Sequence, residues 1–289
     1  MNRELKIFAV GDLILDEPAP IERYFDDSRE VLQNADVLIG HVETPHTYRS
    51  LPSSIDIQAP PSNPEHLKAL VDPGFDIASV AGNHLYDCGP YGVIDTVAKL
   101  RELGIIPCGG GENIYEAKAP AVLEKDGIKI GVISYNATGP KMGWATSQKA
   151  GCNYVNVETY YYAPMEMPGA PPKTYTFIWP EDIEQLQEEV KELKSKVDIA
   201  IVTFHKGNGG PTPKLDTYER PLCYAAIDAG ADFIIGHHHH RLKGVEVYKN
   251  KPIFHGLGNY VTVTYAMTKG YNTTPEMLKY LKIREAEGR

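Results

Sequence analysis

Four of the chain's ten histidines stand in a row, His237 to His240, in the stretch IIGHHHHRLKG. The run follows ADFIIG, an apolar segment that reads as a buried strand, so it sits where a strand ends and not where a purification tag would. Four other strand-like runs end in the same kind of chemistry. LKIFAV leads to Asp12, ADVLIG to His41 and Glu43, FDIASV to Asn83 and His84, and VDIAIVTF to His205. Ligands of open α/β sheets gather at the carboxyl ends of strands, so these five endings point to one shared site. Carboxylate, imidazole and amide oxygen together suit one or two divalent transition metal ions, Mn, Zn or Fe. The absence of thiolates argues for an open catalytic site over a closed structural zinc site.

Spacing refines this reading. Side chains of an extended segment alternate faces, so His237 and His239 are expected on one side, His238 and His240 on the other, with only one pair on the site. The same period puts His41 and Glu43 on one side. Half of the histidine run is therefore expected to bind metal.

The elements that must position these residues are those of an α/β protein. The strand candidates are continuous apolar runs, as in sheets buried on both faces. Between them, GVIDTVAKLRELG reads as a helix ended by Gly104. PEDIEQLQEEVKELKSKV puts Ile183, Leu186, Val190, Leu193 and Val197 on one helical face behind Pro180. AVLEKDGIKIGVI and VEVYKNKPIFHG read as hairpins, turning at Asp126 and Gly127 and near Asn250, which bring antiparallel pairs into the sheets. From about residue 136 to 179 the rhythm breaks. ETYYYAPMEMPGAPPKTYTF crowds Tyr, Pro and Met into weak periodicity and reads as an insertion, either a packed surface or subunit-contact loop or a lid over substrate. No repeat or linker divides the chain, so residues 1–289 are expected to form one domain.

Composition narrows the partners. A net charge of −9 offers no basic patch for a phosphate backbone, which disfavours general nucleic-acid binding and favours a small substrate. No window approaches the roughly 20 apolar residues of a membrane span. Cys88, Cys108, Cys152 and Cys223 lack a C-x-x-C spacing and suit thiols in a reducing compartment. A cytoplasmic protein without a membrane partner is expected, and a homo-oligomer is left open.

GDLIL, HVETP, SVAGNHLYDCGPYG, VTFHKGNGG and GADFIIGHHHHRLKGVEVYKNKPIFHGLGNYV follow one another between about Lys6 and Val263. In that order they resemble the successive blocks of the CapA/PgsA family, the capsule and poly-γ-glutamate biosynthesis proteins within the calcineurin-like metallophosphatase superfamily. The aromatic insertion has no match. The resemblance implies a metallophosphatase-like four-layer α/β sandwich, two mixed β-sheets flanked by α-helices, with the metal centre at the strand ends. It implies that Asp12 binds one metal, that Glu43 bridges two, that Asn83, His205 and His237 complete the second, and that His239 joins Asp12 on the first. His84 would stand beside the substrate as proton donor or charge stabiliser.

The chain departs from this pattern in three places. The superfamily's first motif carries a histidine two residues after the aspartate, where this chain has Ile14. His41 stands where the family usually shows asparagine, and its alternation with Glu43 would let it supply the missing imidazole, or else a hydrogen bond behind the ligands. HKGNGG lacks the family's usual tryptophan and acidic residue, so Lys206 and Asn208 point to a different substrate preference. Arg241, His255 and Lys206 are the candidates for substrate contact, Arg241 as the nearest cation and His255 as a cleft residue or a packed one. His46 and His66 lie in polar stretches and read as solvated, while Asp87 and Gly89 read as shaping their loop. Together these features describe a metal-dependent hydrolase acting on a phosphoester or an amide of a small anionic substrate. The competing reading is a non-catalytic, metal- and polymer-binding accessory of capsule or poly-γ-glutamate synthesis.

Overall fold

A computed structural model describes residues 4–16, 20–51, 59–163, 165, 169, 171–209 and 213–264. Two sheets face one another. The first runs, in order, Asn259–Val263, Ile7–Leu15, Val37–Val42, Ile77–Ser79 and Ile106–Cys108, with every neighbouring pair parallel. The second runs Val245–Tyr248, Lys251–Phe254, Phe233–His237, Ile199–His205, Ile128–Asn136 and Ala121–Lys125. Its four central strands are parallel, and each outer strand is antiparallel to its neighbour. These outer pairs are the two expected hairpins. Asp126 (φ 54°) and Gly127 (φ 82°) close one, Lys249 (φ 48°) and Asn250 (φ 60°) the other, and such paired left-handed residues match the twist of the strands. Of these two sheets only the second contains antiparallel pairs, so it is mixed and the first is parallel, where two mixed sheets were expected.

The period of two splits each apolar run between two layers. Along the His237 strand, Ile235 faces the opposite sheet, in a layer shared with Val37, Ile39, Ile77, Ile130 and Ile201. Ile234 faces outward, among Leu186 and Val190 of the helix Pro180–Lys194 and Leu222 of the helix Glu219–Asp228. The first sheet does the same through Leu13, Leu38 and Ala78, against Val93, Val97 and Leu100 of the helix Pro90–Glu102. Helices thus cover both outer faces, giving the four-layer sandwich that the resemblance implies. A one-residue slip of any of these strands would exchange its two faces, and burial of each Leu or Ile is worth roughly 1.5–3 kcal/mol, so register is strongly specified.

The helix Pro180–Lys194 begins with proline in its first turn, carries Glu181 and Asp182 at its start and Lys191 and Lys194 at its end, all favourable to its dipole. It stops at Lys194, so Val197 packs from the turn that follows rather than from the helix. Residues 136–179 add a separate antiparallel ribbon, Val157–Tyr162 with Lys173–Ile178, and a short pairing of Gly151–Cys152 with Gly110–Gly111. Parts of that insertion, residues 164, 166–168 and 170, lie outside the described residues, as do residues 265–289 of the expected single domain. Among the described residues no helix is long and apolar enough to cross a membrane. All four cysteines are buried thiols.

Register then lines up the chemistry in two rows. In the first sheet Asn259, Asp12, His41 and Ser79 are successive cross-strand partners, and in the second His237, His205 and Asn136. His41, Ser79, His237, His205 and Asn136 lie at or next to the carboxyl ends of their parallel strands, while Asp12 stands three residues before the end of its strand and Asn259 opens its own.

Candidate metal centre

The two rows meet between the sheets. Asp12 Oδ1 lies 3.0 Å from His237 Nδ1, and the His41 ring stacks against those of His237 and His205 with centroids 4.5 and 4.7 Å apart. Asp12, His41 and His205 bring ligand atoms within 4.8 Å of one another, and so do Asp12, Glu43 and His240. A further set converges on His205 Nε2, which is 2.7 Å from Asn83 Oδ1 and 3.1 Å from His238 Nδ1. Two donors bound to one ion at about 2.1 Å and at angles of about 90–109° stand roughly 3.0–3.4 Å apart. The donors of this centre have nearly that spacing.

The histidine run does not keep the expected alternation. The strand ends at His237, and His238 and His240 then adopt φ of 88° and 51°, left-handed values that are uncommon outside glycine. Alternation holds only while the backbone is extended. Three imidazoles therefore reach the centre: His237 on Asp12, His238 on His205, and His240, whose Nε2 lies 3.3 Å from Glu43 Oε1 and whose Nδ1 lies 3.4 Å from Asp12 Oδ2. His239, expected beside Asp12, turns away and places its Nε2 3.1 Å from Glu219 Oε2. The expected pairing of His237 with His239 is corrected: His238 and His240 are the partners that join His237.

Hydrogen bonds behind the centre fix which ring nitrogen faces it. Ser79 Oγ donates to Gly40 O at 3.3 Å, so it accepts from His41 Nδ1 at 3.0 Å and leaves His41 Nε2 a bare lone pair. Asn259 Oδ1 accepts from His240 Nδ1 at 2.6 Å, which frees His240 Nε2 toward Glu43. His84 Nδ1 donates to Asp87 Oδ2 at 2.6 Å, leaving Nε2 for whatever enters, and its side chain is 18% exposed.

Burial dominates the electrostatics. It raises Glu43 well above the ordinary carboxylate range, and the charges of Asp12, Asp16 and Asp87 add to the rise. Burial also presses upward on Asp12, but the hydrogen bond and charge of His237 outweigh it and hold that carboxyl below its usual value. The same burial pushes His41 and His238 down to about 3 and His205 well below the ordinary imidazole range, each reinforced by neighbouring histidines. These three rings are neutral at pH 7, the state in which imidazole binds metal. His41 Nε2, Glu43 Oε2 and His205 Nδ1 are buried with no hydrogen-bond partner among the described residues. Leaving such an atom unsatisfied costs about 1–3 kcal/mol. A divalent ion would satisfy several at once, and the mixed nitrogen and oxygen donors suit such an ion.

Other expected site residues lie elsewhere. Lys206, expected to meet substrate, is wholly buried, because alternation from His205 turns it toward the helices, where it pairs with Glu219 at 2.5 Å. His255, read as a cleft residue or a packed one, is packed, with its Nε2 3.0 Å from Glu246 Oε2. Arg241 is exposed beside His240. His46 and His66 are not solvated; each is buried with Nδ1 on a backbone carbonyl, Thr44 O at 2.9 Å and Leu15 O at 2.7 Å. Sequence reasoning missed Asp87 as the partner of His84, although its spacing in HLYD, three residues on in a turn, was the available signal. Glu219 and Asn259 gave no local signal, since only tertiary folding brings them near.

Residues 6–264 match the model of the family described as bacterial capsule synthesis protein PGA_cap. The chain belongs to that family. Among capsule-synthesis relatives, the capsule biosynthesis protein CapA of Bacillus anthracis is 26% identical over 276 residues, 90% of this chain and 60% of that protein. The PGA biosynthesis protein CapA of Bacillus subtilis (strain 168) is 28% identical over 264 residues, 87% of this chain and 62% of that one. This chain thus spans less than two thirds of either relative. A probable polyglutamine synthesis accessory protein of Mycobacterium tuberculosis (strain ATCC 25618 / H37Rv) is 27% identical over 211 residues, 69% of this chain and 48% of that protein. Two solved structures are distantly similar. A putative 5′-nucleotidase from Staphylococcus aureus, in complex with alpha-ketoglutarate, has a TM-score of 0.42 at 18% identity, over 86% of this chain and 47% of that one. The calcineurin-like phosphoesterase YfkN from Bacillus subtilis has a TM-score of 0.41 at 14% identity, over 82% and 72%.

Proposed function

We propose that the chain is a metal-dependent hydrolase that cleaves a phosphoester or an amide of an anionic substrate between its two sheets. The observation that carries this reading is the convergence of carboxylate, amide and neutral imidazole ligand atoms, several of them buried with no hydrogen-bond partner among the described residues. Asp12, His41 and His205 would hold one ion, with Asn83 and His238 beside His205, and Asp12, Glu43 and His240 would hold the other, while His237 orients Asp12 through its 3.0 Å hydrogen bond. Such ions, when bound, supply an activated water near neutral pH and stabilise negative charge on the attacked group. The chain's own part is positioning and proton transfer. Asp87 accepts from His84 Nδ1 and keeps Nε2 facing outward; when the ring carries both protons, the imidazolium is stabilised by the Asp87 carboxylate and its Nε2–H can pass a proton to the leaving oxygen or nitrogen, which leaves the ring neutral. Arg241, exposed next to His240, would pair with a substrate anion.

The name of the Mycobacterium relative, a probable polyglutamine synthesis accessory protein, favours a second reading, a metal- and polymer-binding accessory without hydrolysis. One assay separates the two. Manganese- or zinc-loaded protein is offered p-nitrophenyl phosphate and a γ-glutamyl p-nitroanilide, beside chelator-treated protein and the His84→Ala variant. Metal-dependent turnover of either compound, falling about 10²–10⁴-fold in His84→Ala at unchanged metal content, supports the hydrolase. Two bound ions without turnover would move the assignment to the accessory role.

A further inference from the structure

His239, Lys206 and Glu219 are at most 1% exposed, and the centre uses none of them. They come from three places: the loop after Phe233–His237, the residue after Ile199–His205, and the first turn of the helix Glu219–Asp228. Glu219 Oε2 stands 2.5 Å from Lys206 Nζ, a hydrogen bond, and 3.1 Å from His239 Nε2, a close contact outside hydrogen-bond geometry, so one carboxylate oxygen abuts both. Its other oxygen accepts the backbone N–H of Asp216 at 2.7 Å. Lys206 directs its remaining donors to His255, 3.2 Å to the backbone oxygen and 3.5 Å to Nδ1.

The slot around His239 depends on two glycines. A Cβ on Gly207 would collide with His239 Nε2, and one on Gly256 would come within 2.9 Å of Nδ1. Gly207 also has φ 84°, and its N–H donates to Tyr218 Oη at 2.5 Å. On either side of His239 the backbone is left-handed at a residue with a bulky side chain, at His238 and at His240. Such conformations persist only where the surroundings over-determine them. These two strained residues are the ones whose rings reach His205 and Glu43.

We propose that the Glu219–Lys206 pair grips His239 and so holds the loop from His237 to Arg241 in the conformation that aims His238 and His240 into the centre. The inference rests on the metal reading above for its consequence, and on the loop geometry alone for its mechanism. His239 and Glu219 are then positioning residues. The third histidine of the run, the lysine after His205 and the glycines of HKG and HGLG all serve one contact.

Removing Glu219 alone would strand a buried lysine and confound folding, so the informative variants are His239→Leu, which fills the slot, and the double change Lys206→Met with Glu219→Gln, which removes both charges together. Manganese or zinc affinity is measured by chelator competition. Amide exchange of residues 238–241 is measured by mass spectrometry on metal-free protein. The clamp predicts an affinity loss of about 10- to 100-fold in both variants with the full number of ions still bound at saturation. It also predicts loop exchange raised about tenfold while the strand Ile199–His205 is unchanged. Unaltered loop exchange in both variants overturns the clamp. Loss of one bound ion in His239→Leu also overturns it, because His239 would then be a ligand. Wild-type protein that binds no ion, with loop exchange still raised in the variants, would overturn the metal reading and uphold the clamp.

Discussion

Metal affinity between pH 7.5 and 5.5 distinguishes a set of imidazoles held neutral by the fold from one that must first shed protons. An imidazole of ordinary pKa, 6.5, becomes largely protonated over that interval, and proton competition weakens metal binding by about tenfold for each such ligand. Three of them would lower affinity about a thousandfold. Burial instead pushes His41 and His238 to about 3 and His205 well below 6.5, so all three remain neutral throughout and add no loss. Glu43 behaves oppositely. Burial, followed by the charges of Asp12, Asp16 and Asp87, raises its pKa, so below that raised value an entering ion must displace its proton. One proton across two pH units limits that loss to about a hundredfold. Chelator competition at half-unit pH steps gives the slope, and titration calorimetry in two buffers of different ionisation enthalpy counts the released protons. Glu43 and the one remaining imidazole ligand each bind at most one proton, so the account predicts a total loss below about 10⁴-fold and release of no more than about two protons. A loss of 10⁴-fold or more would show that the histidines carry protons in the metal-free protein and would refute the neutral centre.

Other perturbations test separate parts. His46 is outside the ligand set; burial pushes it to about 3, so stability present above pH 6.5 is lost as pH falls, by about 1.4 kcal/mol from pH 7.5 to 5.5. Urea melts of wild type and His46→Asn should differ in pH dependence by that amount, and equal slopes would contradict the burial argument. Asp87→Asn should lower kcat about tenfold or more while leaving metal content intact, bounded by the 10²–10⁴-fold cost of losing His84 itself; unchanged kcat would remove Asp87 from the proton path. Gly11→Ala would drive a Cβ into Gly258 O and spread the strands that set Asp12. It should lose about 1–3 kcal/mol of stability along with metal affinity, and a variant of full affinity would show that Asp12 tolerates the shift.

Sheets and helices were legible in the sequence because period and burial agree there. The apolar run before His237 divides cleanly between Ile234 facing the helices and Ile235 facing the other sheet, and both hairpin turns announced themselves through Asp126–Gly127 and Asn250. Strand-end chemistry was legible for the same reason: in-register parallel strands bring Asp12 level with His41 and His205 level with His237. Legibility failed where the chain leaves the strand. Two left-handed residues in HHHH exchange the faces that alternation assigns, and no propensity of histidine announces such a conformation. Lys206 shows a different limit. Expected to meet substrate, it is turned away from the His205 face by strand alternation, and only the fold supplies Glu219 to neutralise it there. His46 and His66 misled for a similar reason, since the backbone carbonyls that satisfy them belong to Thr44 and, at a distance in sequence, Leu15.

The most direct test of the central claim is metal content per chain by elemental mass spectrometry. Untagged protein is purified without chelator and equilibrated with manganese or zinc, beside His238→Ala and His240→Ala. The account predicts close to two ions per wild-type chain and about one in each variant, because those histidines serve different ions. Wild-type protein that retains none, or variants that match it, would contradict a metal centre built from these residues.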